Sequence, residues 1–138
     1  MKPSSSSQEK RIFVVDDEVD ITTVFKLGLE EADLQVDVYN DPLLALSDYK
    51  PGIYDLLLLD IKMPKMNGFE LYKKIKDIEG GYDDDDDKPR VCFITAYEGY
   101  RNQFNELFPT LEEEDCFLKK PISLPDLVKA VKSQLGLL

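Results

Sequence analysis

Short aliphatic and β-branched runs alternate along this chain with longer segments whose apolar positions repeat at helical spacing. Arg11-Ile12-Phe13-Val14-Val15-Asp16 is an apolar run that stops at acids, which predicts a first strand. From Val19 to Ala32 the positions Val19, Thr23, Val24, Leu27 and Leu29 fall broadly on one face of a helix. Val36-Asp37-Val38-Tyr39 alternates apolar and polar, the pattern of a half-buried strand. Asp41-Pro42 then offers an N-cap followed by proline at the first helical position, predicting a helix through about Tyr49. The run Leu56 to Leu59, closed by Asp60, suits a central strand buried on both faces. A loop rich in Met, Pro, Asn and Gly leads to a helix from about Phe69 to Ile78, and Val91 to Thr95 reads as the fourth strand. A helix follows from about Tyr100 to Phe108, stopped by Pro109. Cys116 to Lys119 is a short fifth strand, and Leu124 to Leu135 the last helix, with apolar spacing at Leu124, Leu127, Val128, Val131 and Leu135.

Five strands alternating with five helices predict an α/β fold with a parallel sheet covered on both faces. The expected architecture is a flavodoxin-like, doubly wound five-stranded sheet of order 2-1-3-4-5, its crevice outside the carboxyl ends of the strands. At 138 residues the chain has the size of one domain. Residues 1–9 read as a disordered tail and residues 10–138 as the folded domain. An acidic loop insertion, 83–88, joins the third helix to the fourth strand, which puts it at the amino edge of the sheet. Its Asp-Asp-Asp-Asp-Lys run also matches an engineered tag, but its internal position and the following Pro89 favour a natural, solvated loop.

Charge narrows the function. With 17 basic and 28 acidic residues the net charge is −11, so direct nucleic-acid binding and anionic membranes are excluded as partners. No run approaches a membrane span, and the serine-rich start has no apolar signal core, so a cytoplasmic location is expected. Cys92 and Cys116 each lie in an apolar stretch outside any CxxC pair, which reads as two buried reduced thiols. The chain has no His, which removes imidazole acid–base chemistry and His-containing metal sites.

Acids remain as the candidate chemistry. Asp16 and Asp17 end the first strand and Asp60 ends the third, and those strands are neighbours in a 2-1-3-4-5 sheet. Three converging carboxylates repel unless a cation neutralises them. An oxygen-only donor set of few carboxylates suits Mg²⁺ better than a Ca²⁺ cage. Thr95 ends the fourth strand and Lys120 follows the fifth, adding a hydroxyl and an ammonium to the same edge. Together these groups make a site for a phosphoryl group.

Five pieces in this order resemble the response-regulator receiver domains of two-component signalling: Val14-Val15-Asp16-Asp17-Glu18, Leu58-Leu59-Asp60, Met63-Pro64-Lys65-Met66-Asn67-Gly68, Ile94-Thr95-Ala96 and Phe117-Leu118-Lys119-Lys120-Pro121. The resemblance covers about residues 10–135. It implies that Asp60 is the phosphoacceptor, taking its phosphoryl group from a sensor histidine kinase or phosphotransfer protein. It implies Mg²⁺ on Asp16, Asp17, Asp60 and the backbone carbonyl of Lys62. Lys120 is implied as the phosphate-binding lysine, since it directly precedes Pro121, with a cis Lys-Pro bond; Lys119 is the rival. Thr95 and Phe117 are implied as switch residues, while Lys62 and Tyr97 occupy positions that govern phosphate lifetime. The chain ends just after the last helix, so output is expected through an unknown downstream protein, from a monomer or a phosphorylation-dependent dimer. A Mg²⁺-dependent phosphatase or phosphotransferase with an aspartyl nucleophile is the alternative. Such enzymes carry a second acid two residues after the nucleophile, where this chain has Lys62. A flavodoxin-like cofactor binder would need a phosphate-cradling loop where this chain has Asp-Asp-Glu.

Overall fold

A computed structural model of the chain describes residues 10–80, 88–96 and 116–138. The expected helix over 100–108, Tyr97 and the acidic run 83–87 lie outside the described residues. In chain order the elements are β1 (Arg11–Val15), α1 (Val19–Glu31), β2 (Gln35–Tyr39), α2 (Pro42–Asp48), β3 (Leu56–Asp60), α3 (Gly68–Ile78), β4 (Arg90–Thr95), β5 (Cys116–Lys119) and α4 (Leu124–Gln134). All neighbouring strands are parallel, and the sheet order is β2-β1-β3-β4-β5, as the alternation of elements predicts.

The period of two along each strand divides the interior into two cores. Phe13, Val15, Leu57, Leu59 and Phe93 face Ala45 of α2 and Phe69, Leu71, Tyr72 and Ile75 of α3. Ile12, Val14, Leu56, Leu58, Cys92 and Ile94 face Phe25 and Leu29 of α1 and Leu127 and Val131 of α4. The four consecutive leucines of β3 serve both cores at once, which is why that strand shows no polar face.

The buried face of α1 differs from the expected one. Thr22, Phe25 and Leu29 are its buried residues, whereas Val19, Val24 and Leu27 are 60%, 46% and 60% exposed. Leu29 alone belongs to both the expected and the buried set: Thr22, Phe25 and Leu29 follow the i, i+3, i+7 spacing of one helix face, whereas Val19, Val24 and Leu27 spread around the helix, and the side carrying Phe25 buries the larger apolar body. The cysteines also differ from expectation. Cys92 and Cys116 are register partners on β4 and β5, with Cα atoms 4.4 Å apart, and they are joined in a disulfide rather than held as two thiols. Their separation of 24 residues in sequence hides an adjacency that only strand pairing creates.

Local chemistry sets the helix starts. The Asp41 side chain accepts from the Leu43 N–H at 2.9 Å, with Pro42 inside the first turn. Asn67 and Glu70 close a capping box on α3, each side chain accepting the other's backbone N–H at 2.9 Å. Ser123 caps α4 through the Asp126 N–H at 3.2 Å.

Two glycines sit at close approaches of unequal rigidity. A Cβ on Gly68 would fall 2.5 Å from the Asp60 carbonyl oxygen, which is backbone. A Cβ on Gly28 would fall 2.7 Å from Leu124 Cδ2, the far end of a flexible side chain. Gly68→Ala is therefore expected to cost about 2–3 kcal/mol through overpacking. Gly28→Ala should stay within about 1 kcal/mol of wild type, because the helix-propensity gain offsets a rotamer shift. Urea unfolding of both variants checks this; equal losses would show that the turn below Asp60 has room to give.

Candidate functional site

The carboxyl edge of β1 and β3 carries the acids. Asp16 directly follows β1, and Asp60 is the last residue of β3; the register Val15↔Leu59 sets the two side by side. Asp16, Asp17 and Asp60 each offer a carboxylate oxygen, and these atoms all lie within 4.8 Å of one another. Asp16 and Asp60 are buried, at 1% and 3% exposure. The loop that holds Asp16 is tied down by Asn40, whose Nδ2 donates to the Asp16 carbonyl and to Thr22 Oγ1, both at 2.8 Å. Asp16 N–H in turn donates to the Tyr39 carbonyl at 3.1 Å. Asn40 escaped sequence reading, since an Asn after a strand reads as an ordinary turn residue.

Of the two adjacent lysines, Lys120 enters the cluster. Its Nζ lies 2.8 Å from Asp16 Oδ2, 2.9 Å from Glu18 Oε1 and 3.6 Å from Asp60 Oδ1. Lys119 is exposed. The Lys120–Pro121 peptide is cis. Lys120 N–H donates to the Thr95 carbonyl at 2.9 Å, which joins the lysine's backbone to the end of β4. Thr95 is buried at that strand end, and Phe117, the register partner of Phe93, is half-buried against the core under α2 and α3. Lys62 is exposed and shares a groove with Asp17, Glu18, Met63 and Pro64. Met63 and Met66 are buried in the core beneath it. Glu18 is the site residue whose role sequence reading missed; it was visible as the third acid of the Asp-Asp-Glu run.

Burial, followed by the charge of Asp16, pushes the Asp60 carboxyl up to about 8, while Lys120 pulls it down and Asp17 adds to the rise. Burial also raises Asp16, against the adjacent Lys120 ammonium and the hydrogen bond from the Glu18 N–H. For Lys120 burial disfavours the charge, yet its bonds to Asp16 and Glu18 and the charge of Asp60 outweigh that and hold the ammonium above its ordinary value. Among the described residues, Lys120 thus faces three acids with Asp17 beside them, and carboxylates outnumber the ammonium.

The family model for the response regulator receiver domain matches residues 12–132. The chain belongs to this family. Among curated proteins, the transcriptional regulatory protein PcoR of Escherichia coli is 29% identical over 126 residues; the match covers 91% of this chain but 51% of PcoR. The chain thus spans about half the length of that relative. A CheY-like receiver domain from Methanospirillum hungatei is 28% identical with a TM-score of 0.75, covering 92% of this chain and 94% of that one. The response regulator TrrA of Thermotoga maritima, solved in complex with Mg²⁺-BeF, is 30% identical with a TM-score of 0.73, covering 91% of this chain and 99% of that one.

The receiver domain's donor set fits a divalent cation. Asp16 Oδ2 is buried and lacks a hydrogen bond: Lys120 is close to it but at an unsuitable angle. A buried carboxylate oxygen whose one charged neighbour is an ill-aimed ammonium, beside two further carboxylates, matches the hard, oxygen-ligated Mg²⁺. No described helix is long and apolar enough to cross a membrane.

The raised Asp60 gives this domain an unusual pH response in chelator. The folded protein keeps the Asp60 proton until about 8, whereas the unfolded chain releases it near 3.8. Between those values the folded state binds more protons, so raising pH favours unfolding. Thermal stability in chelator should therefore fall from about pH 5 to about pH 8. Asp60→Asn should flatten that slope and stabilise the protein by about 1–3 kcal/mol at the upper end. With no His in the chain, few other groups titrate there. An unchanged slope in Asp60→Asn contradicts the raised carboxyl.

Proposed function

We propose that Asp60 accepts a phosphoryl group from the phosphohistidine of a sensor kinase or phosphotransfer protein, and that the receiver domain then signals by altered protein contacts. The observation that supports this is the position of Asp60: buried at a strand end, within one cluster with Asp16 and Asp17, and 3.6 Å from Lys120. An Asp60 carboxylate oxygen attacks phosphorus as the phosphorus–nitrogen bond to the histidine breaks. The imidazole nitrogen keeps the electron pair of that bond and takes up a proton. Mg²⁺ held by Asp16, Asp17, Asp60 and the Lys62 carbonyl supplies the positive charge that favours ionised Asp60 and offsets charge on the phosphoryl oxygens.

The remaining roles belong to the chain's own groups. Lys120 pairs with a phosphoryl oxygen from a backbone fixed on Thr95. Thr95 donates its hydroxyl to another oxygen, and because its strand runs beside β5, that movement reaches Phe117. The phosphatase reading is not favoured: a turnover enzyme of that kind needs an acid two residues after the nucleophile, and this chain has Lys62.

A small phosphodonor with Mg²⁺ should add one phosphoryl group per chain, and Asp60→Asn should take up none, measured by intact mass. Uptake by the Asn variant, or turnover of excess donor, overturns the assignment. Asp17→Ala should raise the Mg²⁺ Kd about tenfold or more. Neutralising residues 83–87, which lead into the amino end of β4 in the sequence, should leave it within about twofold.

A further inference from the structure

Glu18 stands where the helix N-cap belongs, yet its side chain makes no cap hydrogen bond. Ser, Thr, Asp or Asn at that position would bond the first-turn N–H groups and stabilise α1. The Glu18 carboxylate instead turns to Lys120, with Oε1 2.9 Å from Nζ. Its backbone is fixed for this, because its N–H donates to Asp16 Oδ1 at 2.9 Å. The side chain lies at the mouth of the cluster, 60% exposed, while Lys120 is 13% exposed. The groove there is lined by Asp17, Glu18, Lys62, Met63 and Pro64.

We propose that Glu18 is a positioning residue that holds the Lys120 ammonium at the mouth of the site and competes with the phosphoryl group for it. The inference rests on the phosphoacceptor reading of Asp60 and deepens it. Lys120 has three donors. Two of its carboxylate partners, Asp16 and Glu18, already lie at hydrogen-bond distance, and Asp60 lies farther off at 3.6 Å. The contact with Glu18 holds the nitrogen where it is, 3.6 Å from Asp60, so an ammonium drawn further in toward a phosphoryl oxygen beside Asp60 stretches its contact with Glu18, the more exposed of those two partners. An exposed pair is weak, so the competition is modest and reversible. Glu18 thus lowers the affinity of the site for a phosphoryl group while keeping the lysine within reach of it.

The test uses the full chain, saturating Mg²⁺ and beryllium trifluoride as the phosphoryl mimic, with affinity read by NMR. Glu18→Gln should bind the mimic about fivefold more tightly than wild type, the worth of one exposed ion pair. In a Lys120→Met background the same substitution should change nothing, because Glu18 acts through the lysine. Tightening that persists without Lys120 overturns the proposal, since it would report only a lost negative charge near an anion. Weaker or equal binding in Glu18→Gln overturns it as well. A second readout stands apart from affinity: the Lys120 ammonium ¹H–¹⁵N signal in the ligand-free protein should move on Glu18→Gln, then reach a common position in both proteins once the mimic is bound. Identical ligand-free signals overturn the holding contact. Wild type that takes up no mimic at all overturns the phosphoacceptor reading itself; normal uptake with an inert Glu18→Gln overturns only the role of Glu18.

Discussion

Four carboxylates, those of Asp16, Asp17, Glu18 and Asp60, meet the ammonium of Lys120 at one edge of the sheet, and the innermost members of this group are out of water. Bringing like charges together in a poorly solvated place is costly, and the protein meets that cost in two ways. It lets Asp60 hold a proton, with its carboxyl pushed up to about 8 by burial and by Asp16. It also draws Lys120 in from β5 to lie against Asp16. Neither makes the site electrically complete, and Asp16 Oδ2 keeps an unmet hydrogen-bonding capacity. That residual demand for positive charge suits the site to a divalent cation and, in the function proposed above, to an anionic phosphoryl group set between cation and lysine.

The remainder of the fold keeps those charges from moving apart. The paired register of β1 and β3 sets Asp16 beside Asp60, and the two cores on either side of the sheet prevent the strands from sliding. Asn40 ties the first acidic loop to β2 and α1, and Gly68 lets α3 start against the Asp60 carbonyl. Lys120 is placed by its own backbone bond to Thr95 rather than by its long side chain. Because β4 and β5 carry Thr95 and Phe117, lead into Lys120 and are joined by Cys92 and Cys116, a change at the acid cluster bears first on that side of the sheet.

Most of this was legible in the chain. Strand ends fall where apolar runs meet an acid or a hydroxyl, so the sequence alone sets Asp16, Asp60 and Thr95 at one edge. The buried stripe of α1 is easily misread because it includes a polar residue, Thr22, while the apolar Val19, Val24 and Leu27, off the i, i+3, i+7 face of Thr22, Phe25 and Leu29, draw the reading toward them. The Cys92–Cys116 pairing depends on strand register, which no local pattern encodes. Glu18 was hidden by position: at a helix start an acid reads as a favourable dipole partner. Its link to Lys120 spans 102 residues of sequence.

The central claim is that Asp60 sits in a site short of positive charge. A direct measurement is the ¹³Cγ shift of Asp60 followed by NMR against pH, with chelator and with saturating Mg²⁺. In chelator the midpoint should lie near 8. With Mg²⁺ it should fall by more than about two units, because an adjacent cation favours the charged form. An ordinary carboxylate midpoint in chelator, or one that Mg²⁺ leaves in place, would contradict it.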